Sequence, residues 1–282
     1  MTTPKIFLIT GVSSGFGAAL ATAALNAGHK VVGTLRNADA QKAFEAQKPG
    51  SAFARLLDVT DFDAVPGVVA DIEAKVGPID VLVNNAGYGH EGTIEESTMA
   101  DYQRQFDVNV FGAVAMIKAV LPTMRKRRSG HILNVTSMGG HTTFPGVGVY
   151  HGSKFALEGI SESLGQELKP FGIHVTAVAP GGFRTDWAGR SMVRAPESIE
   201  DYVPTVGPLR AARLARSGKQ NGDPAKAAQA MLELIESSSP PAHLLLGPDA
   251  VAAVREKMRW LESEIAQWEK LSTSTDFSPA KT

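Results

Sequence analysis

No cysteine occurs among the 282 residues. Disulfides, thiolate nucleophiles and zinc–thiolate sites are therefore excluded, and no metal centre is expected. A dominant charge is missing too. The formal net charge of -1 supplies no global field to draw nucleic acid or an anionic membrane. The one basic run, "MRKRR" at Met124–Arg128, ends a long helical pattern, where cations simply complement the helix dipole. No uninterrupted apolar stretch approaches the roughly 20 residues of a membrane helix. The opening "MTTPK" leads straight into the strand-length "IFLIT", which is not the pattern of a secretory signal. A cytoplasmic protein without nucleic-acid or membrane partners is expected.

What is present is a rhythm of short apolar runs and helical patterns, in a chain that is 43% hydrophobic and 20% charged. Strands are predicted near Ile6–Thr10, Lys30–Leu35, Phe53–Asp58, Val81–Asn84, Gly130–Thr136, His174–Ala179 and Ala242–Leu246. Helices are predicted between them, near Gly15–Ala27, Phe62–Val76, Met99–Arg127, Ser153–Lys169 and Pro224–Ile235. Strand–helix alternation with right-handed crossovers implies an α/β fold: a single doubly wound Rossmann-type domain of about seven parallel strands with helices on both faces. That domain would occupy residues 1–250. Residues 186–222 break the rhythm with Pro196, Pro204 and Pro208, and are expected to form a substrate lid. A C-terminal helix is expected over 251–271. Val251, Val254, Met258, Leu261, Ile265 and Trp268 recur at alternating three- and four-residue steps, one apolar stripe that either docks on its own domain or meets a partner. A flexible tail is expected over 272–282.

The first strand runs into "TGVSSGFG" and then a helix. Gly11, Gly15 and Gly17 permit a tight turn. With Ser13, Ser14 and Phe16 they would bring backbone N–H groups and a helix N-terminus against a pyrophosphate. The second strand ends without the acid that takes both ribose hydroxyls in NAD-binding folds. Arg36 stands there instead, suited to the 2′-phosphate of NADP, with Thr34, Asn37 and Ser13 as further donors. NADP(H) is therefore expected over NAD(H). Asp58 and Val59, closing the third strand, are placed for the adenine, although Asp58 equally suits a cap for the next helix.

"VLVNNAG" places Asn85, Ala86 and Gly87 after the fourth strand, and "LNVTSMGG" places Ser137 beyond the fifth. Thirteen residues on comes Tyr150, and four later Lys154. On a helix, positions i and i+4 share a face, so phenol and ammonium point together at the carboxyl edge of the sheet, where ligands bind in such folds. With "TGVSSGFG", this ordered set resembles the short-chain dehydrogenase/reductase family in its single-domain form, from Thr10 to Thr185. The resemblance implies hydride transfer between nicotinamide and a carbonyl or alcohol. It makes Tyr150 the general acid or base, Lys154 the group that holds the nicotinamide ribose and lowers the phenol's pKa, and Ser137 the partner of the substrate oxygen. Asn109, in "FDVNVFG", would hold a relay water. Pro180, Gly181, Phe183 and Thr185, in "VAPGGFRTDW", would line the nicotinamide. An NADP-binding sensor without turnover stays open as an alternative, as does an epimerase or lyase on the same fold.

The segments flanking the site offer Tyr88, Phe144, Val147, Trp187, Met192, Tyr202 and Val206 and no evident arginine cluster. A neutral, apolar ketone or secondary alcohol is the expected substrate. No role follows for His90, His141 or His151. Small residues line the helix carrying Tyr150 (Gly152, Ala156, Gly159, Ser163) and the one carrying Asn109 (Gly112, Ala115, Ala119). The family's usual dimer uses these two helices, so a homodimer or homotetramer is expected.

Overall fold

The computed structural model describes residues 3–277. Seven strands form one sheet: β1 (Ile6–Thr10), β2 (Lys30–Leu35), β3 (Ala52–Leu56), β4 (Val81–Asn84), then β6 (Gly130–Val135), β7 (Ile173–Pro180) and β9 (His243–Leu246). All neighbours run parallel, in the order β3-β2-β1-β4-β6-β7-β9. The chain winds outward from β1 in one direction, then returns to β4 and winds the other way. That reversal opens a crevice at the carboxyl ends of β1 and β4.

Each strand is apolar on both sides because both faces are covered. Phe7, Ile9 and Val31 pack with Leu20 and Met231, from α1 (Gly15–Asn26) and α8 (Pro224–Glu236). Leu8, Val32 and Ile132 pack on the other face with Val65, Ile72, Met116 and Val120. Those residues come from α3 (Ala64–Lys75) and α5 (Gly112–Arg127). The long Met99–Arg127 pattern is α4 (Met99–Phe106), a π-helical turn (Asp107–Phe111) and α5. Contrary to the sequence expectation, this stretch is long and apolar enough by composition to cross a membrane. Its face bearing Met116, Val120 and Met124 is fully buried in the core.

Four elements escape the sequence pattern. α2 (Ala38–Glu45) is short and is held by Asn37, whose side chain accepts from the amides of Asp39 and Ala40. β5 (Gly89–Glu91) and β8 (Met192–Arg194) form a separate two-stranded parallel sheet, and α7 (Val203–Arg216) fills the expected lid. α6 (Gly148–Leu168) starts two residues before Tyr150, which therefore lies in its first turn. α9 (Pro248–Ser272) buries only Ala250 and Val254. A 3-10 turn follows at Thr273–Thr275. Residues 278–282 of the expected tail lie outside the described residues.

Candidate active site

A cleft of about 870 Å³ opens at the carboxyl edge of the sheet and is lined by every expected catalytic and cofactor residue except Gly17, Asn37 and Asn109. Gly17 and Asn109 act from behind it. A Cβ on Gly17 would stand 2.2 Å from the carbonyl oxygen of Gly11 and 2.5 Å from Asn85 Nδ2, so only glycine permits this approach. Gly11 and Gly15 adopt positive φ, 73° and 59°, which other residues rarely take. Asn85 is a strap rather than a free donor. Its Nδ2 donates to the carbonyls of Thr10 and Gly11 at 2.9 Å, and the amides of Asn85 and Ala86 donate to Thr10 Oγ1 at 3.0 Å.

Helix α1 begins with its Ser14 cap making no side-chain hydrogen bond and with no acid in its first turn. Its leading amides are thus left for an anion, and the glycine turn keeps side chains out of the way. A dinucleotide pyrophosphate fits this end. Arg36 is highly exposed and touches Asp58 only loosely, at 3.9 Å. Asp58 opposes burial's upward pull with two bonds from Thr60, aided by Arg36 and Arg104, and its carboxyl stays below the ordinary value. It closes a turn at Thr60 rather than capping α3, whose N-cap is Asp63, and it lines the nucleotide end of the cleft. Asn37, expected as a further donor, caps α2 through its Oδ1 and does not line the cleft. Arg104 lines the same end. It sits on α4, far from the nucleotide motifs in sequence, and no local signal singles it out.

At the chemical end, Tyr150 and Lys154 are both buried. Burial pushes the Tyr150 phenol up to about 12, against a lowering bond to Ser137. Burial pulls Lys154 down to about 8, with Glu158 opposing the shift. Lys154 Nζ donates to the carbonyl of Val135 at 2.8 Å and lies 5.8 Å from the centre of the Tyr150 ring. In these surroundings desolvation outweighs the ammonium's influence on the phenol, so the lowering expected from Lys154 is not what the protein alone produces. Glu158, one turn on, accepts from His243 Nδ1 at 2.9 Å and faces His141 at 3.2 Å.

Asn109 lies in the π turn, a local form common at functional sites. Its Nδ2 donates to the Tyr88 carbonyl and to Ser153 Oγ, both at 3.1 Å, and its Oδ1 accepts from the Tyr88 amide. Ser153 in turn donates to the carbonyl of Tyr150 at 2.7 Å. The asparagine side chain thus ties the strand-end loop to α6.

His151, given no role by sequence, organises the neighbouring loop. Its Nδ1 donates to the Gly139 carbonyl at 2.8 Å, and its Nε2 accepts from the Phe144 amide at 2.9 Å. This fixes the tautomer and frames the segment that carries Ser137.

Of the expected substrate residues, Tyr88, Phe144, Val147 and Trp187 line the cleft, whereas Met192, Tyr202 and Val206 do not. Val193, Leu209 and Ala212 take their place. Trp187 sits over Tyr150, ring centres 5.1 Å apart. The expectation of no arginine cluster fails. Glu91, only 1% exposed, gathers Arg194 and Arg213, with Arg210 at 3.9 Å. These arginines come from β8 and α7, so their convergence depends on tertiary structure. They stitch β8 and α7 to β5, and Arg213 reaches the cleft wall.

The small stripe on α5 also departs from expectation. A Cβ on Gly112 would meet Val59 at 2.8 Å, while Ala115 and Ala119 pack against the core. On α6, Gly152 and Gly159 are exposed.

The chain matches the family described as short chain dehydrogenase over residues 5–194. It is 40% identical to "Oxidoreductase BOA17" of Botryotinia fuckeliana over 96% of this chain and 99% of that one. It is 37% identical to a 3-ketodihydrosphingosine reductase of Bacteroides thetaiotaomicron, over 94% and 96%. It is 36% identical to retinol dehydrogenase 8 of Homo sapiens, over 84% and 80%. The crystal structure of a short-chain dehydrogenase from Streptomyces avermitilis superposes with a TM-score of 0.91 at 42% identity, over 98% of this chain and 100% of that one. The structure titled "ElxO with NADP Bound" gives a TM-score of 0.73 at 25% identity, over 89% and 100%.

Proposed function

Because this chain belongs to the short-chain dehydrogenase family, we propose that it is an NADP-dependent oxidoreductase acting on a neutral, apolar ketone or secondary alcohol, with Tyr150 as general acid and base. The nicotinamide, when bound, supplies or accepts the hydride. The protein's part is to place a carbonyl oxygen between Ser137 and Tyr150 and to move one proton. A phenol pushed up to about 12 stays protonated at neutral pH, the form that donates to the oxygen as the carbonyl is reduced. In the reverse direction the phenolate takes that proton. Lys154, held by Val135, is positioned for a ribose hydroxyl and brings its positive charge toward the phenol. Asn109 and Ser153 fix the backbone of Tyr150.

The observation that carries this reading is the convergence of Ser137, Tyr150, Lys154 and an uncapped α1 on one cleft. The NADP preference rests on Arg36, exposed at the end of β2 with no acid beside it on that strand. It draws support from the NADP-bound relative. The substrate class rests on Tyr88, Phe144, Val147, Trp187 and Leu209 in the cleft wall. The relatives named for a keto compound and for retinol agree with it. A homodimer or homotetramer in the cytoplasm completes the proposal, assembled through the exposed face of α6. The test is NADPH oxidation, followed optically, against steroid, retinoid and aryl ketones, with NADH and small charged keto acids as controls. Turnover that favours NADPH and apolar ketones supports the proposal. Faster turnover of charged keto acids overturns the substrate class, and tight NADPH binding without turnover of any ketone favours a sensor.

A further inference from the structure

The C-terminal helix α9 carries an apolar stripe of which its own domain covers only the root. Ala250 and Val254 are buried, and Asp249 accepts from the Gly182 amide at 2.7 Å, so the helix leaves the domain from a fixed base. Beyond Lys257 every residue to Ser272 is exposed. Met258, Leu261, Ile265 and Trp268 are 66%, 48%, 54% and 56% exposed. They continue the stripe that Val251 and Val254 begin. Contiguous exposed apolar surface on this scale marks an interaction site.

The charges beside the stripe identify the occupant. Alternating three- and four-residue spacing is the a/d pattern of a helix pair. With Val251, Met258 and Ile265 at a, and Val254, Leu261 and Trp268 at d, the flanking positions hold Arg255 and Lys257 before the midpoint and Glu262 and Glu264 after it. A two-fold antiparallel pairing with another α9 that sets Met258 against the partner copy's Leu261 also brings Ile265 alongside Val254 and Trp268 alongside Val251. The same register sets Arg255 against Glu262 and Lys257 against Glu264, each twice by symmetry. A parallel pair would set Lys257 against Glu262 but Glu264 against Glu269, one attraction cancelled by one repulsion. A membrane surface fits less well. Residues 255–270 hold four basic and four acidic side chains, so nothing draws this helix to anionic lipid.

We infer that α9 is a self-association helix, pairing antiparallel with the α9 of a second copy of this chain, in the register that sets Met258 against Leu261. The interface is isologous, as two-fold symmetry requires. It is distinct from the α6 face, so the two surfaces together allow an assembly larger than a dimer.

The full chain, which has no native cysteine, tests this directly. In the variant Arg255→Cys with Glu262→Cys, the two thiols lie about 10 Å apart along one helix and cannot bridge within it. Mild oxidation should link two copies on a non-reducing gel. Single Leu261→Cys reports on a parallel pair, and self-linking there with none in the double variant overturns the register. In sedimentation velocity, reversing Arg255 and Lys257 to glutamate should weaken association at least tenfold, and so should reversing Glu262 and Glu264 to lysine. Combining all four should restore it. Association indifferent to these reversals overturns the inference. Binding of wild-type chain to phosphatidylcholine–phosphatidylserine vesicles that is lost in Leu261→Asp, without cross-linking, assigns the helix to a membrane and overturns it as well.

Discussion

Lys154 Nζ lies 2.8 Å from the carbonyl oxygen of Val135, the last residue of β6. One strand end thus holds the ammonium that, one turn along α6, shares a face with Tyr150. The bond does not offset the lysine's desolvation, because burial brings its pKa from 10.5 to about 8. Between those values the unfolded chain holds a proton that the folded chain resists, so this group's contribution makes stability rise with pH across that window.

Lys154→Met should therefore abolish turnover while raising stability at pH 7. The gain should be roughly 1–3 kcal/mol, somewhat below the full linkage value because Val135 loses its donor. It should fade as pH approaches 10.5. Urea denaturation at pH 7 and pH 10 measures both points.

Arg36→Glu should weaken NADPH binding about 10- to 100-fold, the scale of a charge-assisted hydrogen bond lost, and leave NADH little changed. Fluorescence titration of the two cofactors reads the ratio. Equal losses for both would mean that Arg36 serves the adenine end generally and not a 2′-phosphate.

His151→Ala removes both ties on the loop between Gly139 and Phe144. kcat should fall about tenfold or more through misplacement of Ser137, with NADPH affinity nearly unchanged. In the wild type, burial lowers the His151 pKa. The accompanying acid loss of activity should set in below the ordinary histidine value, when Nε2 gains a proton and can no longer accept from Phe144. A kcat–pH profile from pH 4 to 8 checks the direction.

Trp187→Ala opens the cleft above Tyr150. KM for an apolar ketone should rise about 5- to 50-fold, in line with the loss of one buried aromatic contact. NADPH binding should hold. Steady-state kinetics with both substrates varied separates the two.

The sheet was legible because seven buried strands leave seven short apolar runs, and the gathering of Ser137, Tyr150 and Lys154 on one cleft was legible because one follows a strand end and two share a helix face fixed by local spacing. Other features had no local signature. α2 is one short polar stretch after Asn37. β5 and β8 are three residues each and pair across about a hundred positions. Glu91 reads as a surface acid until Arg194 and Arg213 converge on it. The ties made by Asn85, Asn109 and His151 use the backbone of distant segments, which no spacing announces. The upward shift of Tyr150 likewise comes from burial, a property of the packed fold rather than of the i, i+4 pair.

Tyr150→Phe tests the central claim most directly. NADPH affinity and NADPH oxidation with the best apolar ketone should be measured side by side on wild type and variant. The expected result is affinity within about threefold of wild type and turnover lower by at least the 10²–10⁴-fold typical of a lost general acid. Turnover that survives the loss of the hydroxyl would contradict the assignment of Tyr150 as the proton donor.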